Sequence, residues 1–284
     1  MTSAPPSAEL QEYQRLLSTP ATSKSDAQAD TENEHIKTSP LVWWDVKEKT
    51  ADTNFQQYGV LGHIPSATSP ASRESMKPIL LSTNAPWSAF LCGSQGSRKS
   101  YTLSCMLENC LLKDETIGRN PKPLAGIVFH YDSLQGSGVR EAAYMCERVE
   151  TRVLVSESNY GRLKKLYEEM AEKKGGSVVV EKLKSHSGHL DTERMKTLMV
   201  VGKEGEMPLY MHSAKKNRDI LTGTPGVLTI IDLTDPVIDA DFSCVLFDIC
   251  LSIFLSQTKC SKIIALDEAH NYMTASSAAE NQFT

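Results

Sequence analysis

Short apolar runs alternate with longer segments that can form helices from position 76 onward. This alternation is typical of a sheet whose strands are joined by crossover helices, so it predicts an α/β domain with a mainly parallel sheet. Several runs are apolar without polar alternation, as expected for strands that are covered on both faces. The predicted strands are 87–92, 126–131, 152–155, 227–233 and 262–266.

The segment 156–226, between the third and fourth predicted strands, is charged and predicts an insertion with helical pieces at 160–174 and 190–201. The basic side chains of the first piece are Arg162, Lys164, Lys165, Lys173 and Lys174. They could meet a polynucleotide backbone, but the interleaved residues Glu168, Glu169 and Glu172 favour a solvated helix face. His186 and His189 have a spacing compatible with a metal site, yet no Cys or acidic cluster accompanies them, which favours loop residues.

Residues 1–75 are rich in Ser, Thr, Ala, Pro and Gln, and their apolar residues follow no helical or strand period. Little apolar burial can offset the entropy of ordering such a segment, so we expect a mostly disordered region ahead of a folded domain at 76–284. The segment 41–62 is different because it contains Trp43, Trp44, Phe55 and Tyr58. Two interpretations of it stay open: the aromatic residues clip onto the domain surface, or the segment is disordered.

The composition of the chain limits which partners and which cellular compartment are expected. A formal net charge of −5 gives no global electrostatic reason to bind nucleic acid or an anionic membrane. The apolar stretch 242–255 is shorter than the ~20 residues of a membrane span and contains Asp248, so it predicts a buried helix and no membrane partner. Seven cysteines without a C-x-x-C pair, behind an N-terminus without an apolar signal region, predict an intracellular protein of the cytoplasm or nucleus.

The stretch LCGSQGSRKSYTL, positions 91–103, follows the phosphate-loop pattern G-x-x-x-x-G-K-[ST] except at Arg98, where the second glycine is expected. It stands between a predicted strand and a segment of helical spacing, which is the context that the motif requires. Backbone N–H groups at the start of such a helix surround phosphates. The predicted nucleotide-binding residues are Gly93, Ser94, Gln95, Gly96, Ser97, Arg98, Lys99, Ser100 and Tyr101. The alternative is an ordinary Gly/Ser turn before a helix.

A second motif, KIIALDEAHNYM at 262–273, places Asp267 and Glu268 at the carboxyl end of a predicted strand. Ligands of open α/β sheets bind at that edge. One carboxylate there can orient the water molecules around Mg²⁺, and the other can position the attacking water or accept its proton. The alternative is a pair of solvated carboxylates. Asp232 ends another predicted strand, where Thr234, Asp235 and Pro236 favour a turn role over contact with the metal's water.

These motifs, with TNAPWSAF before the loop and LTIIDLTDP before the apolar helix, resemble the HerA–FtsK group of phosphate-loop ATPases, and look like a fungal branch of it. The resemblance covers about 77–273, with the insertion poorly matched. It implies a three-layer RecA/ASCE-like phosphate-loop NTPase fold that uses ATP and Mg²⁺. Lys99 would contact phosphate, Ser100 and Asp267 would serve Mg²⁺, and Glu268 would activate water. His270 would couple the nucleotide state to neighbours.

The members of that group are typically hexameric pumps that move DNA, or sometimes protein, so the resemblance also implies a homo-oligomer and a nucleic-acid partner. Two departures bear on this. At Arg98, the conformation that glycine permits costs another residue ~1–2 kcal/mol, although a guanidinium can itself bind phosphate. Sixteen residues follow Glu268, too few for the group's later strand and arginine, so we expect a shortened version of a longer ATPase.

Two functions therefore remain open. The first is ATP binding with Mg²⁺-dependent hydrolysis, in which Lys99 and Glu268 are catalytic. The second is a non-catalytic binding or scaffold module that keeps a degenerate loop. A small-molecule kinase is disfavoured because no Arg-rich lid segment follows the loop.

Overall fold

A parallel sheet of five strands forms the centre of the computed structural model, which describes residues 34–50, 55–63, 77–134, 138–186, 211–212, 221–257 and 259–273. In chain order the strands are β1 Leu41–Trp43, β2 Tyr58–His63, β3 Pro78–Ser82, β4 Gly118–Arg119, β5 Ala125–Asp132, β6 Glu150–Val155, β7 Val178–Lys182, β8 Ser185–His186, β9 Met211–His212, β10 Val227–Thr234 and β11 Lys262–Asp267. The helices are α1 Trp44–Lys49, α2 Lys99–Leu111, α3 Tyr160–Lys174 and α4 Ala240–Ser256, with 3₁₀ turns at Glu141–Glu147 and Ala269–Asn271.

The five-stranded sheet has the order β11-β5-β10-β6-β7, and every neighbouring pair in it is parallel. Four of its strands, β5, β6, β10 and β11, coincide with predicted strands. Strands β5 and β10 are nearly continuous apolar runs because both of their faces are covered. The prediction of an α/β chain with a mainly parallel sheet is therefore confirmed.

Helices lie on both faces of the sheet. On one face, α4 packs its aromatic and aliphatic residues against alternate residues of β5 and β10. On the other face, α2, the turn Glu141–Glu147 and α3 pack against the intervening residues. The predicted buried helix at 242–255 corresponds to α4, in which Phe247 lies 5.0 Å from Phe129 and 5.1 Å from Tyr272 between ring centroids. Within the described part of the chain, no helix has the length and apolarity that crossing a membrane requires.

The predicted strand 87–92 is wrong. Among the described residues this segment pairs with no strand, and Phe90 is 88% exposed, although Trp87 packs partly against the core. The five-stranded sheet ends at β11 and β7, and the segment joins neither of these edge strands. An apolar run alone does not make a strand, because a strand also needs ladder hydrogen bonds to a neighbour.

The predicted insertion at 156–226 begins as part of the sheet, which corrects its boundary. Helix α3 has the predicted bounds of its first helical piece and ends at Gly175, which adopts the left-handed conformation with φ 71°. The chain then returns as β7, which pairs in parallel with β6 and becomes the edge strand. The first part of the segment is thus an ordinary β-α-β crossover, and the second predicted helical piece, 190–201, lies outside the described residues.

The aromatic segment 41–62 packs on the domain. Strands β1 and β2 flank β3, and β4 completes a four-stranded antiparallel sheet. Phe55 is buried and stacks on Tyr58 with ring centroids 5.1 Å apart. Asn109 of α2 donates to the carbonyl of Val60 over 3.1 Å, which joins this sheet to the helix. The first of the two open interpretations therefore applies here, whereas 1–33, 51–54 and 64–76 lie outside the described residues.

Helix α2 runs antiparallel to the strands. Its C-terminal end is held at the starting edge of the sheet, where Leu111 lies against Gly126 and the amide of Leu124 donates to the carbonyl of Cys110 over 2.9 Å. The buried amide of Asn120 donates to the carbonyls of Asn109, Cys110 and Leu112 and so caps this end. The opposite end, which begins at Lys99, consequently faces the carboxyl edge of the sheet.

Candidate functional site

The two predicted motifs lie toward the same edge of the sheet. The loop 93–98 leads into the N-terminus of α2, and Asp267 is the last residue of β11, whose carboxyl end lies at the same edge. Helix α2 also packs against β11. The elements that carry the phosphate-loop pattern and the carboxylate pair are therefore neighbours, as their order in the sequence predicts for an open α/β sheet.

The loop is tightly folded and fully exposed. The amide of Ser97 donates to the carbonyl of Ser94 over 3.1 Å, and Gly96 takes φ 81°. A β-carbon at Gly93 would lie 2.6 Å from the hydroxyl of Ser97, so a larger residue at this point would require the Ser97 side chain to move. All six residues from Gly93 to Arg98, including Gln95, are exposed to solvent. Positive φ thus makes glycine the favoured residue at position 96, which is not one of the two glycine positions of the pattern.

Lys99 closes the loop. Its ammonium group donates to the carbonyls of Gly93 and Ser94 at 3.2 and 3.3 Å. Hydrogen bonds from an ammonium group to an anionic oxygen are stronger than those to a neutral carbonyl. A phosphate that entered the loop would therefore compete well for this lysine.

The N-terminus of α2 is electropositive. Its capping residue, Arg98, makes no side-chain capping bond, and no acidic residue stands in the first turn. The first amides of a helix have no partner within the helix, and the helix dipole favours an anion beside them. Ser100 is half-buried in this first turn, while Tyr101 is exposed. This end of the helix is suited to bind an anion.

The carboxylate pair has two different environments. Asp267 is 16% exposed in its side chain, and its Oδ2 lies 3.1 Å from Nδ1 of His130. Glu268 is 37% exposed, and its Oε2 lies 3.3 Å from Nδ1 of the exposed residue His270. The inner carboxylate is therefore held by the protein, and the outer one remains accessible to solvent. Such a division suits one carboxylate that orients a metal shell and one that faces water.

Backbone strain is concentrated in the same two motifs. Within the described part of the chain, only two residues other than glycine have positive φ: Arg98 with φ 63° and Glu268 with φ 50°. The left-handed conformation costs a residue with a β-carbon roughly 1–2 kcal/mol. Strained residues cluster at functional sites, where the surrounding structure holds them in place. Both predicted motifs therefore carry this mark of a site.

A buried polar cluster beside Asp267 escaped the sequence analysis. It consists of His130 on β5, Arg140 before the turn Glu141–Glu147, Tyr167 on α3 and Asp232 on β10. Burial raises the pKa of Tyr167 well above its usual range, and the carboxylate of Asp232 adds to this effect, so the phenol keeps its proton. A histidine within the apolar strand AGIVFHYD was the signal that could have revealed the cluster.

Asp232 lies within β10, two residues before the end of the strand, and not in the turn that was predicted for it. Its Oδ1 accepts hydrogen bonds from the amide and hydroxyl of Thr234 at 2.9 and 2.6 Å, and its side chain is completely buried. Asp235 likewise accepts a bond from the amide of Val237 over 2.9 Å. Asp232 therefore has structural partners on each side, and Asp267 is the better placed carboxylate for a metal.

The weaker signals of the sequence have separate outcomes. On α3, Lys164 pairs with Glu168 and Lys165 pairs with Glu169 at 3.7 and 3.9 Å, so the predicted solvated face is confirmed. His189 and the side chain of His186 lie outside the described residues. Among the residues that the structure describes, no group of three or more His, Cys, Asp or Glu side chains forms a metal cage. Mg²⁺ bound with a nucleotide needs none, since one or two carboxylates, the phosphates and water suffice.

Comparisons with protein-family models, with curated proteins and with solved structures found no match. The resemblance to HerA–FtsK ATPases accordingly rests on the sequence alone: the two motifs, TNAPWSAF before the loop, and LTIIDLTDP before the apolar helix. The fold and the geometry of the carboxyl edge are the grounds on which a function can be argued.

Replacing Arg98 by glycine is expected to raise the free energy of unfolding by about 0.5–1 kcal/mol, because relief of the left-handed strain exceeds the backbone entropy of glycine. Mg²⁺-ATP binding should tighten about tenfold, since no β-carbon then crowds the loop. Denaturant unfolding and calorimetry measure the two effects. The control Lys122→Gly, at an exposed position without positive φ, should lose stability instead. Weaker ATP binding in Arg98→Gly would show that the guanidinium serves the phosphates.

Proposed function

We propose that this chain binds ATP with Mg²⁺ at the carboxyl edge of its sheet and hydrolyses it. In this proposal the domain is a three-layer phosphate-loop NTPase similar to the HerA–FtsK ATPases. The loop 93–100 holds the phosphates, and Asp267 and Glu268 complete the site. The observation that carries the proposal is the placement of the two motifs: the loop opens α2 at the carboxyl edge of the sheet, where β11 ends at Asp267 and Glu268 follows.

The residues present fit a magnesium nucleotide. The hydroxyl of Ser100 and the carboxylate of Asp267 are hard oxygen donors of the kind that Mg²⁺ prefers. Ser100 and Asp267 would hold Mg²⁺ here, and the metal would supply positive charge that offsets the charge of the phosphates. Lys99 would exchange its loop carbonyls for phosphate oxygens, and the uncapped amides of α2 would complete the cradle. Each of these groups favours the phosphates more as charge develops on them.

Glu268 would position the attacking water. Its side chain is partly exposed beside the inner carboxylate, and its carboxylate can accept a proton as the water attacks. The neighbour His270 would hold the carboxylate in place through the contact of 3.3 Å. The left-handed backbone at Glu268 turns the chain abruptly after β11, which directs the side chain differently from a continued strand.

A binding or scaffold module is the second candidate. It is favoured by the segment 87–92, which pairs with no strand of the described residues. No inter-strand hydrogen bonds therefore fix the backbone that leads into the loop. The strain at Arg98 acts in the same direction, because it weakens a loop that must keep its shape around phosphates.

Calorimetric titration of the chain with ATP, in the presence of Mg²⁺ and in the presence of EDTA, tests the proposal. We expect saturable binding that tightens with Mg²⁺, together with release of inorganic phosphate on incubation. Binding without phosphate release would favour the scaffold candidate. The absence of binding under both conditions would reject a nucleotide function.

A further inference from the structure

Three polar residues form a row across the carboxyl edge of the sheet. Asp267 on β11 is in register with His130 on β5, and His130 is in register with Asp232 on β10. Alternate residues of these strands belong to the face that α2 and α3 cover. The row therefore lies beneath the helix that starts with the phosphate loop, and it joins the candidate site to α3.

The contacts fix which nitrogen of His130 carries the proton. Nε2 lies 2.5 Å from Nη1 of Arg140, and a guanidinium can only donate, so Nε2 must be the acceptor. Nδ1 then carries the hydrogen and donates it to Oδ2 of Asp267 over 3.1 Å. The imidazole is held in one tautomer and one orientation, directed at the carboxylate that the proposed function assigns to Mg²⁺.

Arg140 is held in turn by Asp232. Its Nε lies 3.7 Å from Oδ2 of that carboxylate, which also accepts the hydroxyl of Tyr167 over 2.6 Å. Both Asp232 and Tyr167 are completely buried. Buried charges are stable only when they are paired, so removal of any member disturbs the others. The link between Arg140 and Asp232 is an ion pair without a hydrogen bond, because the buried Nε of Arg140 has no hydrogen-bond partner among the described residues. The members of the row are therefore coupled through charge and burial.

We propose that His130 is a positioning residue for Asp267, and that the chain Tyr167–Asp232–Arg140–His130 sets the orientation of this carboxylate toward Mg²⁺. The inference rests on the proposed function and deepens it. Partners that orient a metal-binding carboxylate typically change metal affinity by 10–100-fold when they are lost. A purely structural histidine would affect stability and would leave the dependence on Mg²⁺ unchanged.

The first test uses the chain without nucleotide. Two-bond ¹H–¹⁵N spectra of histidine-labelled protein distinguish the two tautomers, and His130→Asn assigns the resonance among the seven histidines. We expect the Nδ1–H tautomer, with a shift of the Nδ1 signal in Asp267→Asn. Observation of the Nε2–H tautomer would overturn the inference, because His130 would then not donate to Asp267.

The second test measures ATP binding as a function of Mg²⁺ concentration. We expect His130→Phe to raise the Mg²⁺ concentration at half-effect about 10–100-fold and to leave ATP binding in EDTA unchanged. His130→Asn, whose amide can donate from near the Nδ1 position, should stay within about threefold of the wild type. An unchanged Mg²⁺ dependence in His130→Phe would overturn the inference while the proposed function stands.

A pair of tyrosine variants on α3 tests the inference independently if His130→Phe does not fold. Tyr167→Phe removes only the hydroxyl that binds Asp232, and Tyr160→Phe on the same helix is the matched control. We expect a raised Mg²⁺ requirement in the first variant and none in the second. Equal behaviour of the two would overturn the inference. Failure of the wild-type chain to bind ATP would remove the proposed function, and the inference with it.

Discussion

Lys99→Ala is expected to weaken Mg²⁺-ATP binding by about a hundredfold or more. The ammonium group donates two hydrogen bonds within the loop, and a bound nucleotide would offer it phosphate oxygens instead. A hydrogen bond to a charged group contributes roughly 1.5–3 kcal/mol, and each 1.4 kcal/mol corresponds to about tenfold in affinity. Loss of two such bonds therefore removes most of the affinity. Calorimetric titration with Mg²⁺-ATP measures this change directly.

The matched control for this variant is Lys113→Ala. Lys113 is exposed just beyond the C-terminal end of α2, so its removal changes the net charge equally at the opposite end of the same helix. We expect unchanged affinity in this control and unchanged unfolding in both variants. A reduction of less than about threefold in Lys99→Ala would mean that the loop does not bind phosphate through its lysine, and the proposed site would be rejected.

Most strands of the sheet, and helices that cover it, could be predicted because their hydrophobic patterns are strong and local. Strands β5 and β10 are eight residues long and mostly apolar, and α4 is apolar over most of its length. Each motif follows a predicted strand of the parallel sheet. Because the carboxyl ends of parallel strands lie at the same edge, the sequence order predicts both motifs at that edge. The carboxyl edge of the sheet was thus predictable from sequence order alone.

Two features could not be predicted, because each depends on contacts between distant parts of the chain. Segment 87–92 has the apolar character of a strand, but whether it joins the sheet depends on contacts with an edge strand that is distant in sequence. His130 and Tyr167 are 37 positions apart, and they belong to one cluster only through the register of β5 with β10. Local pattern carries no information on register between strands that are distant in sequence.

The strained residues are an intermediate case. The pattern marked Arg98 as a departure from glycine, and the structure shows the left-handed backbone that this position requires. Nothing in the sequence marked the same conformation at Glu268, because a turn after an apolar strand accepts many residue types. Two independent departures from ordinary backbone therefore stand at one edge, and only one of them was visible beforehand.

Glu268→Gln is expected to retain Mg²⁺-ATP binding and to lose phosphate release by about 100–10,000-fold, the usual contribution of a positioned acid or base. The substitution keeps the size of the side chain and the left-handed backbone, so the free energy of unfolding should not change. A residue that acts on the attacking water contributes in the transition state and little in the ground-state complex. Binding and turnover should therefore separate, in contrast to Lys99→Ala, where binding itself is lost.

The comparison is sharpest on the Arg98→Gly background, where the strain of the loop is relieved. Single-turnover release of phosphate is measured in that parent, in its Glu268→Gln variant and in Glu115→Gln, an exposed glutamate beyond α2 that serves as the control. Equal turnover in the parent and in Glu268→Gln would show that Glu268 does not act on water. Nucleotide binding without turnover in the parent would instead favour the scaffold candidate, because the loop would then hold phosphate with no group acting on it.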